Sequence, residues 1–260
     1  MNILITNDDG VTSPGLHALA YALRDVGDVT VLAPNRNWSV AGHAKTLDNP
    51  LRLQSTDLPD GTNAFTTNGS PADCVVLGLL GALEKPINLV VAGINTSNNL
   101  GYDVNYSGTV AAATEAVIMG VPGIAISTLF DEDIGYEPAA KVGLEVVRQV
   151  VHRGLPPNTL LNVNVPTVPL DEMKGFEITR QCDSGHHQDD LVHYKDPYGE
   201  TYYWIGGKPF NNPEKIGMDI GAIANKYISV TPLKIDRTSN SFVTDLNDWM
   251  FEVPNDNNEC

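Results

Sequence analysis

The chain has 260 residues, a formal net charge of −16 and 42% hydrophobic residues. Its length and apolar content are sufficient for one large α/β domain. The acidic balance argues against binding to polymeric nucleic acid or to an anionic membrane, since either partner requires a basic face. The sequence shows neither a membrane-spanning apolar stretch nor a signal-peptide pattern, so it predicts a soluble, cytoplasmic protein.

The first strand predicted by the sequence ends in two adjacent carboxylates. Residues 3–6 form a short apolar and β-branched run, and Asp8 and Asp9 follow it directly before Gly10. Neighbouring carboxylates repel each other at the end of a buried strand, and a divalent cation would offset this repulsion. The alternative is that one aspartate only caps the turn beside the glycine.

Two later strands end in further oxygen donors. The run 29–33 leads into a loop that contains Ser39, and the run 88–92 leads into Asn95. Right-handed strand–helix–strand connections make such strands parallel, so their carboxyl ends share one edge of the sheet. We therefore expect Asp8, Asp9, Ser39 and Asn95 to lie together. Hard oxygen ligands without histidine or thiolate suit Mg²⁺ or Mn²⁺.

A turn of small residues precedes the helical stretch 110–117. It consists of Ser107, Gly108 and Thr109. The free N–H groups and the positive end of the helix dipole at such a turn favour a bound anion, such as a substrate phosphate. The alternative is that Ser107 or Thr109 simply caps the helix.

Strands and helices alternate as far as residue 165, which is typical of a doubly wound α/β sheet. From residue 176 to about 245 longer β-like stretches with aromatic side chains predict a β-rich elaboration. We expect surface positions for His186, His187 and His193 in this part, because adjacent histidines on a strand point to opposite faces and rarely bind one ion together. Residues 254–260 are predicted to be a disordered tail.

Five stretches of the chain, taken in order, resemble the survival protein SurE family of metal-dependent 5'/3'-nucleotidases. They are ILITNDDG, APNRNWS, NGSPADCV, VVAGINTSNNLGYDVNYSGTVAAATEA and KYISVTPLKID. The likeness runs from residue 1 to about residue 238. It implies a single domain with the family's three-layer, Rossmann-like α/β sandwich: a core at 1–175 and, at 176–245, a C-terminal β-hairpin elaboration that builds homodimers or homotetramers.

The resemblance also implies an activity, namely hydrolysis of nucleoside 5'- and 3'-monophosphates to nucleoside and phosphate and, in some members, of short polyphosphate. By motif, the family's ligands to one Mg²⁺ or Mn²⁺ ion per subunit correspond to Asp8, Asp9, Ser39 and Asn95. The positions around the metal and the phosphate correspond to Asn7, Asn99, Ser107, Gly108 and Thr109. Our hypothesis is that Asp8 or Asp9 orients or deprotonates the attacking water while Asn95 helps to hold the phosphate.

Four loop positions depart from the family's pattern. The family usually has an acidic residue where Asn35 stands, a small residue where Val40 stands and glycine where Ser97 stands; many members have histidine where Lys234 stands. All four lie beside the expected site. Substrate choice and rate are therefore the properties that we expect them to affect.

The main alternative function is a non-catalytic, metal-dependent nucleotide-binding or sensor protein. A receiver-like signalling domain has an acidic pair, but it is about half this length and needs a phosphoacceptor aspartate on a later strand. Phosphatases of the haloacid-dehalogenase type need two aspartates separated by one residue. Nucleoside hydrolases need additional aspartates in an interrupted pattern, and a dinucleotide-binding protein needs G-x-G-x-x-G after the first strand.

Overall fold

The computed structural model of the protein describes residues 1–184, 187–209 and 214–251. Its strands are β1 (Asn2–Thr6), β2 (Asp28–Pro34), β3 (Leu53–Asp57), β4 (Asn63–Thr67), β5 (Leu89–Asn95), β6 (Gly123–Thr128), β7 (Thr159–Val165), β8 (Phe176–Ile178), β9 (His187–Lys195), β10 (Thr201–Pro209) and β11 (Ile228–Lys234). Its α-helices are α1 (Pro14–Leu23), α2 (Pro71–Leu77), α3 (Gly108–Ile118), α4 (Glu137–Arg153), α5 (Asp219–Ala224) and α6 (Asn240–Leu246). Single turns of other helix types occur at Gly78–Ala82, Tyr102–Asn105 and Leu170–Glu172.

Nine strands form the main sheet, in the order β3-β4-β2-β1-β5-β6-β7-β11-β8. The six strands from β4 to β7 in this order are parallel to their neighbours, whereas β3 and β11 pair antiparallel with β4 and β7. The carboxyl ends of the parallel strands therefore meet at one edge. At this edge Thr6 pairs with Ala92, Asn95 with Ser127, and Ser127 with Asn164.

Helices cover both faces of this sheet and make the molecule a three-layer α/β sandwich, as predicted. Side chains alternate along a strand, so Ile3 and Ile5 join the apolar cluster under α1 and α4, whereas Leu4 joins the cluster under α2 and α3. The strands of the centre are buried on both faces. This explains why they appear in the sequence as continuous apolar runs.

The predicted β-hairpin is confirmed, because β9 and β10 form a separate two-stranded antiparallel sheet. The segment from residue 176 also supplies β8 and β11 to the main sheet, so the predicted division at 175 does not coincide with the edge of that sheet. His193 is exposed on β9. His186, the side chain of His187 and the tail 254–260 lie outside the described part of the structure. In the part that is described, no helix is long and apolar enough to cross a membrane.

Candidate active site at the carboxyl edge of the sheet

The turn after β1 holds the two carboxylates in place through backbone and side-chain hydrogen bonds. The Asn7 side chain donates to the Gly10 carbonyl and accepts from the Gly10 N–H, both at 3.1 Å. The Trp38 N–H donates to the Asp8 carbonyl at 2.7 Å, which brings the loop after β2 against this turn. Asn7 is fully buried, and both of its polar side-chain atoms shape the turn.

The Asp8 carboxylate lies at the N-terminus of α3. The Thr109 hydroxyl donates to its Oδ1 at 2.5 Å, and the backbone N–H groups of Thr109 and Gly108 also bond to it. A Cβ added at Gly108 would lie 2.8 Å from the Cβ of Asp8, so only glycine permits this approach. Ser107 caps the helix by accepting from the Val110 N–H at 3.1 Å. The anion at the start of this helix is therefore the protein's own carboxylate.

Asp9 is only partly satisfied. Its Oδ1 accepts long hydrogen bonds from Thr96 at 3.4 Å and from Asn37 at 3.5 Å. Its Oδ2 is buried and has no hydrogen-bond partner among the described residues. A buried carboxylate oxygen without a donor is costly, and a bound cation is one group that would satisfy it.

The electrostatics of the acidic pair reflect this incomplete satisfaction. Burial raises the pKa of Asp8, although the Thr109 hydroxyl and the N–H groups of α3 offset part of the rise. Burial and the charge of Asp8 together raise the pKa of Asp9 to about 6. Burial and the charge of Asp9 raise the pKa of Tyr136 to about 12. Negative charge is thus concentrated at this edge and lacks a compensating cation among these neighbours.

A cleft of about 490 Å³ opens beside the acidic pair. Of the residues predicted for the site, it is lined by Asp8, Ser39, Asn95, Asn99 and Ser107. Asp9 is bonded to Thr96, which also lines the cleft, while Gly108 and Thr109 contact Asp8. The structure therefore assembles the predicted residues around one edge of the sheet, although Asn7 contributes through the turn.

Asn95 and Ser39 enter the cleft from different elements. The Asn95 side-chain nitrogen donates to the Ser97 carbonyl at 2.7 Å, which leaves its amide oxygen as the atom for a cation. The backbone N–H of Ser39 donates to the Asn37 side chain at 2.7 Å, and Ser39 follows Trp38, which is bonded to Asp8. Ser39 is exposed, so its hydroxyl is accessible from the cleft.

Asn99 is held by buried asparagines of β7 that the sequence prediction did not use. Its N–H donates to Asn164 at 2.8 Å, and its carbonyl accepts from Asn162 and Asn164 at 2.8 and 3.0 Å. Its side-chain nitrogen donates to Ser127 at 2.8 Å. The sequence carried one signal for this contact, namely two asparagines that alternate with apolar residues in β7. Buried amide groups need specific hydrogen-bond partners, so these positions indicate a polar contact in the core.

The donor set at this edge fits one hard divalent cation. The described residues contain no cluster of three or more His, Cys, Asp or Glu side chains of the kind that binds a metal. Two carboxylates with a hydroxyl and an amide oxygen instead suit an ion such as Mg²⁺, which retains waters and takes few protein oxygens. The unpartnered Oδ2 of Asp9 is the observation that favours this fit.

Val40 lines the same cleft with an unusual backbone conformation. Its φ is 61° and its side chain is 76% exposed. A β-branched residue in the left-handed region costs on the order of 1–3 kcal/mol, and a smaller residue relieves part of that strain. A smaller residue at this position would therefore relieve strain in the loop that carries Ser39.

An ion-pair cluster around the buried Glu115, which the sequence prediction missed, anchors this loop. Glu115 of α3 is 3% exposed and accepts from His43 at 2.8 Å and from Lys45 at 2.9 Å. These partners are 72 and 70 residues away in the chain. Glu115 therefore joins the Ser39 loop to the helix whose first turn holds Asp8.

We expect Glu115→Gln to lower metal affinity and to reduce kcat/KM about tenfold, because the looser loop no longer holds Ser39 near the acidic pair. The free energy of unfolding should fall by about 1–2 kcal/mol. The matched control is Glu137→Gln, which removes an exposed ion pair with Lys141 at 2.6 Å on α4. Activity titrated with Mn²⁺ checks the prediction; equal behaviour of the two variants would contradict it.

Ionisation of Asp9 should cost the metal-free protein stability as the pH rises from about 4 to 7. The pKa of Asp9 is about 6 in the fold against an ordinary value of 3.8, so folding favours the protonated acid. This contribution is complete below about pH 4 and is lost as the pH rises through about 6. Urea unfolding is measured in the presence of chelator for wild type and Asp9→Asn. Between pH 4 and 7 the free energy of unfolding of wild type should fall by about 1–2 kcal/mol relative to that of the variant. Parallel profiles of the two proteins would contradict the assignment.

Comparison with known proteins identifies the family. The family described as Survival protein SurE matches residues 3–188. A protein named 5'-nucleotidase SurE from Chloroflexus aggregans is 46% identical over 255 residues, which cover 97% of this chain and 100% of the relative. A protein of the same name from Aquifex aeolicus is 44% identical over 238 residues, covering 91% of this chain and 93% of the relative.

The fold is also that of a solved structure. The crystal structure of the SurE protein from Aquifex aeolicus superposes with a TM-score of 0.84 at 41% sequence identity, covering 95% of this chain and 98% of that chain. Both kinds of similarity extend over nearly the whole length of the proteins compared. The chain therefore belongs to the SurE family.

Proposed function

We propose that this protein is a metal-dependent 5'-nucleotidase that hydrolyses nucleoside monophosphates to nucleoside and phosphate. The observation that carries the proposal is the acidic pair Asp8 and Asp9 beside a cleft lined by hydroxyl and amide groups. Membership of a family whose relatives are named 5'-nucleotidase SurE supports the same activity.

Asp8, Asp9, Ser39 and Asn95 would hold one divalent cation, Mg²⁺ or Mn²⁺. When bound, such an ion polarises the phosphoryl group and compensates its charge. The two carboxylates provide the charge that retains it, and the neutral oxygens of Ser39 and Asn95 leave coordination positions for water and substrate.

The hydrogen bonds suggest different roles for the two aspartates. Asp8 is fixed by Thr109 and the N–H groups of α3, so we assign it to binding. Asp9 Oδ1 accepts only long hydrogen bonds, so we assign this oxygen to orienting the attacking water and the unpartnered Oδ2 to the cation. The Ser107 hydroxyl accepts from Val110 and retains its own proton to donate to a phosphate oxygen. Asn95 is the further candidate for holding the phosphate.

We extend the proposal to nucleoside 3'-monophosphates and short polyphosphate, because the hydroxyl and amide groups that line the cleft can bind a phosphate group of any of these substrates. Asn7, Asn99, Gly108 and Thr109 support this site by shaping the turn, the second loop and the position of Asp8. We place the protein in the cytoplasm.

We further propose a homodimer or homotetramer built through residues 176–245. The β9–β10 hairpin exposes Tyr203, Trp204 and Ile205 to 65%, 67% and 74%. Large apolar side chains grouped on one exposed element are typical of protein–protein contacts.

A phosphate-release assay on a panel of substrates tests the function. The chelator-treated protein is supplied with Mn²⁺ or Mg²⁺ and with 5'- and 3'-nucleotides of each base or with tripolyphosphate. Phosphate release from nucleotides that requires the metal supports the proposal. Release of ribose would indicate a nucleoside hydrolase, and nucleotide binding without turnover would indicate a sensor; either result would refute the nucleotidase.

A further inference from the structure

A second, larger cavity adjoins the catalytic cleft. This groove has a volume of about 930 Å³ and shares Tyr102 and Ser107 with the cleft. Its walls include one side of α3 as far as Ile118, the segment 179–183 and the end of β11 with the residues that follow. A substrate whose phosphate lies in the cleft therefore has room to extend past Tyr102 into the groove.

Cationic side chains are concentrated in the groove, although the protein as a whole is strongly acidic. Arg180, Lys234 and Arg237 line it, and none of them forms an ion pair with a residue in the described ranges. The chain as a whole carries a net charge of −16. Uncompensated cations in such a molecule favour an anionic ligand at this place.

The other ionisable groups of the groove neutralise only part of this positive charge. Asp183 is paired with Lys215 at 2.8 Å, and His43 is paired with Glu115. Asp236 accepts from the Thr238 N–H at 2.9 Å and interacts electrostatically with Lys234. The charges of Arg180 and Arg237 remain, and two guanidinium groups have the planar, multiple-donor geometry that suits a phosphate.

The junction between the two cavities suits a nucleoside. Tyr102 lies there with 52% of its surface exposed, and an exposed aromatic ring is a group on which a base can stack. Among the described residues the two cavities share Tyr102 and Ser107, so an anion in the groove and an anion in the cleft lie on either side of this boundary. The two phosphates of a diphosphate share one bridging oxygen, whereas a ribose holds its 3'- and 5'-phosphates on different carbons, so a nucleoside 3',5'-bisphosphate can place one phosphate in each cavity.

We propose that the groove binds the second phosphate of a nucleoside 3',5'-bisphosphate whose first phosphate occupies the cleft. The inference rests on the proposed nucleotidase activity and names a preferred substrate class for it. The reaction consumes one water, whose oxygen bonds to phosphorus as the bond to the sugar oxygen breaks. A proton passes to that sugar oxygen, and the products are a nucleoside monophosphate and inorganic phosphate.

Kinetics on three nucleotides test the proposal. With a fixed concentration of Mn²⁺ and fixed ionic strength, wild type should show a kcat/KM for adenosine 3',5'-bisphosphate about tenfold above that for adenosine 5'-monophosphate, through a lower KM. Adenosine 5'-diphosphate should show no such gain. In the double variant Arg180→Gln with Arg237→Gln, the ratio of kcat/KM for the bisphosphate to kcat/KM for the monophosphate should be close to one. The double variant Arg52→Gln with Arg148→Gln changes the net charge equally outside the groove and should retain the wild-type ratio.

The possible outcomes distinguish a failure of the groove assignment from a failure of the proposed nucleotidase activity. Turnover of the monophosphate without preference for the bisphosphate would overturn the groove assignment and leave the nucleotidase intact. If no nucleotide is hydrolysed, calorimetry still tests the groove, because bisphosphate must bind wild type more tightly than monophosphate and lose this advantage in the groove variant. An unchanged ratio with an altered oligomeric state in the groove variant would show that the groove is an interface between copies, which also overturns the proposal.

Discussion

Replacing Asp8 or Asp9 by asparagine is expected to lower metal-dependent phosphate release at least about 10³-fold, because each variant removes one of the two charges that hold the cation. The fold should remain intact in both cases. Asp9→Asn should even stabilise the metal-free protein at neutral pH, since the buried Asp9 carboxylate is ionised there at a cost. Asp8→Asn should also weaken the contact with Thr109 at the start of α3.

The matched control for these variants is Asp25→Asn, the same chemical change at an exposed position. Phosphate release, circular dichroism and urea unfolding are measured on all proteins in parallel. Retained activity in Asp8→Asn or Asp9→Asn, with the structure intact, would remove the acidic pair from the mechanism.

The second large effect is expected from Gly108→Ala, a change of a single methyl group. The added Cβ would lie 2.8 Å from the Asp8 Cβ and 3.2 Å from its Oδ2, so α3 and Asp8 must move apart. A displacement of about 1 Å in a catalytic group can cost about 10²-fold in rate, and we expect a loss of at least that size. Alanine otherwise favours a helix by up to about 1 kcal/mol over glycine, so the loss of activity should exceed any loss of stability.

Gly206→Ala provides the control for this substitution. Among the described residues, a Cβ at Gly206 on β10 meets one atom, at 3.9 Å, and this position is outside the site. Phosphate release and metal affinity are compared for the two alanine variants. Wild-type activity in Gly108→Ala would show that the close contact between α3 and Asp8 is not required for catalysis.

The placement of the site could be predicted because local patterns determined it. Asp8, Asp9 and Asn95 each follow an apolar run, and parallel strands bring such ends to one edge. The start of α2 is determined in the same local way, since Ser70 and Asp73, three residues apart, form a reciprocal cap. In both cases the information lies within a few residues of the feature.

Other features could not be predicted because they depend on distant contacts. Glu115 meets His43 and Lys45 only after the sheet has formed, and no spacing in the sequence links them. The helix start at 107–109 was predicted to surround a phosphate, but Asp8 itself takes several of its donors. The positions of β8 and β11 in the main sheet depend on pairing across the fold, on which hydrophobic periodicity carries no information.

The most direct test of the account is a metal titration of phosphate release from a nucleoside 5'-monophosphate, with wild type and Asp9→Asn side by side. We expect no release in chelator, saturable restoration of wild-type activity by Mn²⁺ or Mg²⁺, and no restoration of the variant at the same metal concentration. Full activity of the wild type in chelator, or equal restoration of Asp9→Asn, would contradict the claim that a cation held by the acidic pair makes this edge of the sheet a nucleotidase site.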